Sequence, residues 1–88
     1  MTDNLDMEMN GGANGFARIV KYVKLKTLWI RLDQLLKYAG LAESGGQAKE
    51  MILGEEVRLN GELCLSRGKK IFPGDIITLD GVEIIVKG

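Results

Sequence analysis

The sequence predicts an α+β fold: two helices packed on a small, mostly antiparallel sheet of about four to five short strands. Three observations carry this. Apolar residues recur at helical spacing only between residues 32 and 54. The stretch before that window alternates basic and apolar residues. The stretch after it breaks into short apolar runs separated by Asn-Gly, Pro-Gly and Asp-Gly pairs, the chemistry of tight turns.

Residues 1–17 are rich in Asn, Gly, Asp and Met and show no apolar period, which predicts a disordered leader before a domain spanning residues 18–88. Lys21-Tyr22-Val23-Lys24-Leu25-Lys26-Thr27 has the period of two expected of a strand with one solvated face. Leu32, Leu35, Leu36 and Ala39 fall at i, i+3, i+4 and i+7 and give the first helix an apolar face, with Gly40 as its C-terminal cap. Ser44-Gly45-Gly46-Gln47 has capping-box spacing and opens a second helix, whose stripe is Ala48, Met51 and Ile52 and whose end falls at Gly54. Val57-Arg58-Leu59 and Leu63-Cys64-Leu65 flank Asn60-Gly61, and residues 76–79 and 82–86 flank Asp80-Gly81, so two hairpins are expected. Pro73-Gly74 suits the centre of a type II turn.

Composition narrows the function classes. A chain of 88 residues supports a single core, and its hydrophobic fraction of 45% is ordinary for a globular protein. No apolar run has the length of a membrane span, and residues 1–10 lack the basic start and apolar stretch of a signal peptide, so a cytoplasmic protein with no membrane partner is expected. One cysteine, Cys64, permits no internal disulfide. It alternates with Leu63 and Leu65, which predicts a packed thiol. The absence of histidine removes the commonest general base and metal ligand, and the carboxylates form no cluster. Neither an enzyme, nor a cofactor, nor a metal, nor a small-molecule substrate is expected. The formal net charge of zero hides a division: Asp3, Asp6 and Glu8 precede every Lys and Arg, so the chain from Arg18 onward is net basic.

Arg31-Leu32-Asp33-Gln34-Leu35-Leu36, Ser44-Gly45-Gly46-Gln47-Ala48-Lys49, Val57-Arg58-Leu59-Asn60-Gly61 and Pro73-Gly74-Asp75-Ile76-Ile77 together resemble the ribosomal S-four-like RNA-binding domain. That family's blocks run R-L-D-x-x-L, S-R-x-x-A-R, V-x-V-N-G and P-G-D-x-I, in this order and at close to this spacing. The match covers roughly residues 31–79. It implies an RNA-binding surface on the two helices and the loop or strand that follows them. Gly45 departs from the pattern, standing where the family usually has arginine, and the resulting S-G-G-x-A-K is similar to small stand-alone bacterial members.

The residues expected to carry binding follow from charge and from this resemblance. Arg67, Lys69 and Lys70 form the densest basic cluster, suited to neighbouring phosphates and equally suited to a solvated sheet edge. Ser44, Gly45 and Gly46 open a helix whose free N–H groups can hold a phosphate, with Lys49 one turn in. Arg31, Lys37 and Arg58 complete the set. Lys21, Lys24 and Lys26 with Tyr22 suit single-stranded RNA or a plain strand, and Trp29 reads as structural. The expected partner is structured RNA, ribosomal RNA or an assembling ribosomal particle. The rival is a protein-interaction adaptor using a sheet edge or the acidic tail. A ubiquitin-like sulfur carrier is the weakest reading, since Val86-Lys87-Gly88 is not a di-glycine tail.

Overall fold

The computed structural model describes residues 19–88; the expected leader lies outside them. In chain order the elements are β1 (Ile19–Lys24), β2 (Ile30–Arg31), α1 (Leu32–Tyr38), α2 (Gly45–Leu53), β3 (Val57–Leu59), β4 (Glu62–Leu63), β5 (Lys70–Ile71), β6 (Ile76–Leu79) and β7 (Val82–Lys87). The main sheet has five strands in the order β1–β7–β6–β3–β4. Its neighbours are antiparallel except β1 and β7, which run parallel with Val23 opposite Val86. A second ladder pairs β2 with β5, Ile30 opposite Ile71 and Arg31 opposite Lys70. The predicted α+β class holds.

The alternation within each strand decides which face the helices cover. Val23, Val57, Ile77, Leu79, Ile84 and Val86 are buried on one face of the sheet. Leu32, Leu35 and Leu36 of α1 and Ala48 and Ile52 of α2 are fully buried against them, as their helical spacing requires. Each such Leu or Ile contributes on the order of 1.5–3 kcal/mol of burial, and truncating one to Ala costs about 2–5 kcal/mol.

Turn chemistry sets the hairpins. Asn60 and Gly61 have φ of 51° and 88°, and Asp80 and Gly81 have 50° and 78°, both residues of each pair lying in the left-handed region that a type I′ turn requires. Gly74 has φ of 99°, and the Asp75 N–H donates to the Phe72 carbonyl at 3.0 Å, closing the predicted turn around Pro73-Gly74. Asn60 and Asp75 then tie the two turns together. Asn60 Nδ2 donates to Asp75 Oδ1 at 3.1 Å, Asn60 Oδ1 accepts from the Ile76 N–H at 2.9 Å, and Asp75 Oδ2 accepts from the Phe72 N–H at 2.8 Å.

Several boundaries differ from the sequence reading. The first strand ends at Lys24, although Leu25 remains buried and donates its N–H to the Lys87 carbonyl at 2.7 Å. The strand after Asn60-Gly61 covers Glu62–Leu63 rather than residues 63–65. Cys64 is half-buried and packs against the core, as predicted. Gly40 (φ 81°) follows the C-cap of α1 in the left-handed conformation. Gly54 caps α2, as expected, and the left-handed conformation falls to the next residue, Glu55 (φ 64°). Trp29 is not a core residue: it is 38% exposed, with the Lys70 ammonium 4.7 Å from its ring centroid. No helix among the described residues is long and apolar enough to cross a membrane.

Candidate nucleic-acid interface

The β2–β5 ladder brings the 66–70 loop against the start of α1. The Leu32 N–H donates to the Lys69 carbonyl at 2.9 Å and the Asp33 N–H to the Arg67 carbonyl at 3.0 Å. Two N–H groups that the first turn of a helix leaves without intrahelical acceptors are thereby satisfied by the loop. The Lys69 N–H reaches back to the Ser66 carbonyl at 3.2 Å, which tightens the loop itself.

Asp33 is the centre of this junction. It sits in the first turn of α1, where a negative charge suits the helix dipole, and it is only 1% exposed. Its Oδ1 accepts from the Gln34 N–H at 2.8 Å, while Oδ2 accepts from Arg31 Nη2 and Arg67 Nε, both at 3.0 Å. Burial pushes the carboxyl up, but the Arg67 hydrogen bond, the Arg31 charge and the Gln34 N–H outweigh it and hold the group below its ordinary value. A buried carboxylate is tolerated here because it is fully partnered.

The two arginine side chains remain partly in solvent, 49% exposed for Arg31 and 41% for Arg67. Each has five donors and gives one to Asp33, and among the described residues the others take no further side-chain acceptor, which leaves them able to meet an anion. A Cβ placed on Gly45 would stand 3.6 Å from Arg67 Nη2, and one on Gly68 would stand 3.9 Å from Arg31 Nη2. The start of α2 therefore lies directly beside Arg67. Ser44 caps that helix by accepting from the Gln47 N–H at 3.1 Å. Gln47 reaches back to the Glu43 N–H, one residue earlier than the capping-box reading. The Gly45 and Gly46 N–H groups precede the first intrahelical bond, which Ala48 makes to Ser44.

Of the residues singled out from the sequence, Arg31 and Arg67 meet at Asp33, the helix start at Ser44, Gly45 and Gly46 lies beside Arg67, and Lys70 stands opposite Arg31 in the ladder. Lys69 touches α1 through its backbone while it also lines a separate cleft with Leu59, Leu63 and Cys64. Lys49 is exposed one turn into α2. Lys37 is exposed in the last turn of α1, at the far end of the helix from Arg31. Arg58 is separated from the others. Its neighbours Val57 and Leu59 face the core, so alternation turns Arg58 to the opposite face of the sheet, beside Leu63 and Thr78. Asp33 itself received no role from the sequence. Its signal was local: an acid in the first helical turn, two residues after an arginine.

A family profile described as the S4 domain matches residues 23–87. This chain belongs to the S4 domain family. A Bacillus subtilis (strain 168) protein described as probable ribosome maturation protein RlbA is 37% identical over 59 residues, 67% of this chain and 83% of that relative. Within this S4 domain the family blocks divide by task. Leu32 and Leu35 fill the core, Asn60 and Asp75 lock the turns, and Asp33 organises the arginines at the surface.

Proposed function

We propose that this S4 domain is a non-catalytic RNA-binding protein that docks on structured RNA, ribosomal RNA or an assembling ribosomal particle in the bacterial cytoplasm. The observation that carries this reading is the pair of arginines held together by buried Asp33, with Lys70 opposite Arg31 in the ladder and the start of α2 beside Arg67. Guanidinium groups pair with phosphate oxygens through two donors at once, and arginines already fixed in place lose less freedom on binding. Duplex RNA presents phosphates and shape rather than readable base edges, which suits a surface made of cations and backbone N–H groups. The relative described as a ribosome maturation protein favours a ribosomal partner. In this reading Arg31, Ser44, Gly45, Gly46, Arg67, Lys69 and Lys70 form the main contact. Lys49 and Lys37 contribute longer-range attraction, and Arg58 is left out.

Replacing Arg67, Lys69 and Lys70 together with Ala tests it. RNA affinity should fall, and the dependence of log K on log salt should flatten by about 0.7–0.9 for each phosphate that the variant no longer neutralises. Parental affinity and slope in the triple variant would overturn the reading and leave the loop as a solvated edge, as an adaptor would have it.

A further inference from the structure

A second basic and aromatic feature lies beside this surface and takes no part in it. A cleft of about 170 Å³ is lined by Lys24, Leu25, Lys26, Thr27, Ile30 and Tyr38. Leu25 is buried and Ile30 half-buried against the core, so the floor is apolar. Tyr38, the last residue of α1, is 67% exposed although it is a large aromatic side chain. Thr27 Oγ1 donates to the Trp29 carbonyl at 2.8 Å, which braces the segment forming the other wall. The lining contains two lysines and no carboxylate, and neither lysine forms an ion pair among the described residues.

We propose that this cleft is a subsite for one unpaired nucleotide of the RNA, its base on the Tyr38 ring and its flanking phosphates on Lys24 and Lys26. The inference rests on the RNA-binding reading and adds to it a preference for duplex RNA that continues into a single strand. The chemistry selects the occupant. A nucleobase offers an apolar face to Tyr38 and the cleft floor, and its backbone supplies the anions that two unpaired ammonium groups attract. An apolar protein segment would leave both ammonium groups unmatched. The location agrees: Ile30, in the cleft floor, directly precedes Arg31, and α1 spans about 1.5 Å per residue from there to Tyr38. The seven residues of α1 therefore separate the arginine end from Tyr38 by about 10 Å, a span that a few nucleotides can bridge.

The test compares a blunt RNA duplex with the same duplex carrying a short single-stranded purine extension, one purine being a fluorescent adenine analogue. The parent should bind the extended RNA at least about fivefold more tightly, with quenching of the analogue on stacking. Tyr38→Phe should retain both effects. Tyr38→Leu, whose melting temperature should match the parent because the side chain is exposed, should lose both while binding the blunt duplex unchanged. Equal affinity of the parent for the two RNAs would overturn the subsite alone. So would a preference that survives Tyr38→Leu, or a Tyr38→Leu loss that is the same for both RNAs. Failure of the parent to bind either RNA would overturn the RNA-binding reading and the subsite with it.

Discussion

Asp33 and Asp75 do similar work in two regions of the molecule, and the difference between them separates site from scaffold. Each carboxylate ties together segments that are distant in sequence. Asp75 joins one turn to another through the Asn60 amide and the Phe72 N–H, all neutral donors, in an exposed setting. Asp33 is buried and joins the start of α1 to the 66–70 loop through two arginines whose remaining donors face outward. Asp75 therefore holds neutral turn groups in place, whereas Asp33 holds charge at a chosen position on the surface.

The largest expected effect comes from Asp33→Ala. Losing a buried, charge-assisted pair of hydrogen bonds should cost about 2–3 kcal/mol, read from urea denaturation. The change removes a negative charge, so simple electrostatics predicts tighter RNA binding. If Asp33 acts by positioning Arg31 and Arg67, affinity should fall instead. Tighter binding would erase the distinction drawn between the two aspartates.

The pH dependence of Asp33 sharpens it further. The folded protein holds this carboxyl below its ordinary value, so it binds protons less readily than the unfolded chain does. Its stabilising contribution is complete above the ordinary carboxylate range, roughly pH 4, and is lost as pH falls through the depressed folded value. The stability gap between the parent and Asp33→Asn should accordingly narrow on acidification below about pH 4. A gap that widens there would contradict the assignment.

For Asp75→Ala the expected loss is about 1–2 kcal/mol of stability, since the bonds are exposed and their donors neutral. RNA affinity measured well below the melting temperature should not change. Reduced affinity in a fully folded Asp75→Ala protein would show that the turn region also contacts RNA.

The smallest effect is expected at Gly45. A Cβ there makes ordinary contact with Arg67, so Gly45→Ala should keep both stability and affinity. Val adds bulk between Arg67 and the free N–H groups of α2. Affinity in Gly45→Val should fall by a few-fold, about 1 kcal/mol for one phosphate hydrogen bond, while the melting temperature stays near the parent's. Unchanged affinity would remove the start of α2 from the interface.

The features legible in the sequence are those whose cause is local. Asn60-Gly61 and Asp80-Gly81 announce their turns because few other residues accept two successive positive φ values. The stripes of α1 and α2 are visible because helical spacing alone decides which side chains share a face. The β2–β5 ladder escapes, since two-residue strands carry no period. Trp29 reads as core because an aromatic beside a strand usually is, and only the position of Lys70 shows it at the surface. Arg58 groups with the other cations because charge is visible in a sequence while the facing of a strand within its sheet is not.

By itself the sequence determined the first strand, the two helices and the two hairpins in their order, the turn chemistry, the buried faces of both helices and the presence of a basic body behind an acidic start. All of these depend on neighbours within a few residues, where backbone sterics and side-chain period act directly. The tertiary structure decided which charges meet. Arg31 and Arg67 lie in segments far apart along the chain and come together because a short ladder docks the 66–70 loop on α1 and one buried carboxylate attracts both guanidinium groups. It also extended the sheet by laying β1 parallel to β7 at its edge, a pairing between opposite ends of the domain that no local pattern encodes. Coulomb attraction and hydrogen bonding depend on distance in space, and that distance exists only once the core has packed.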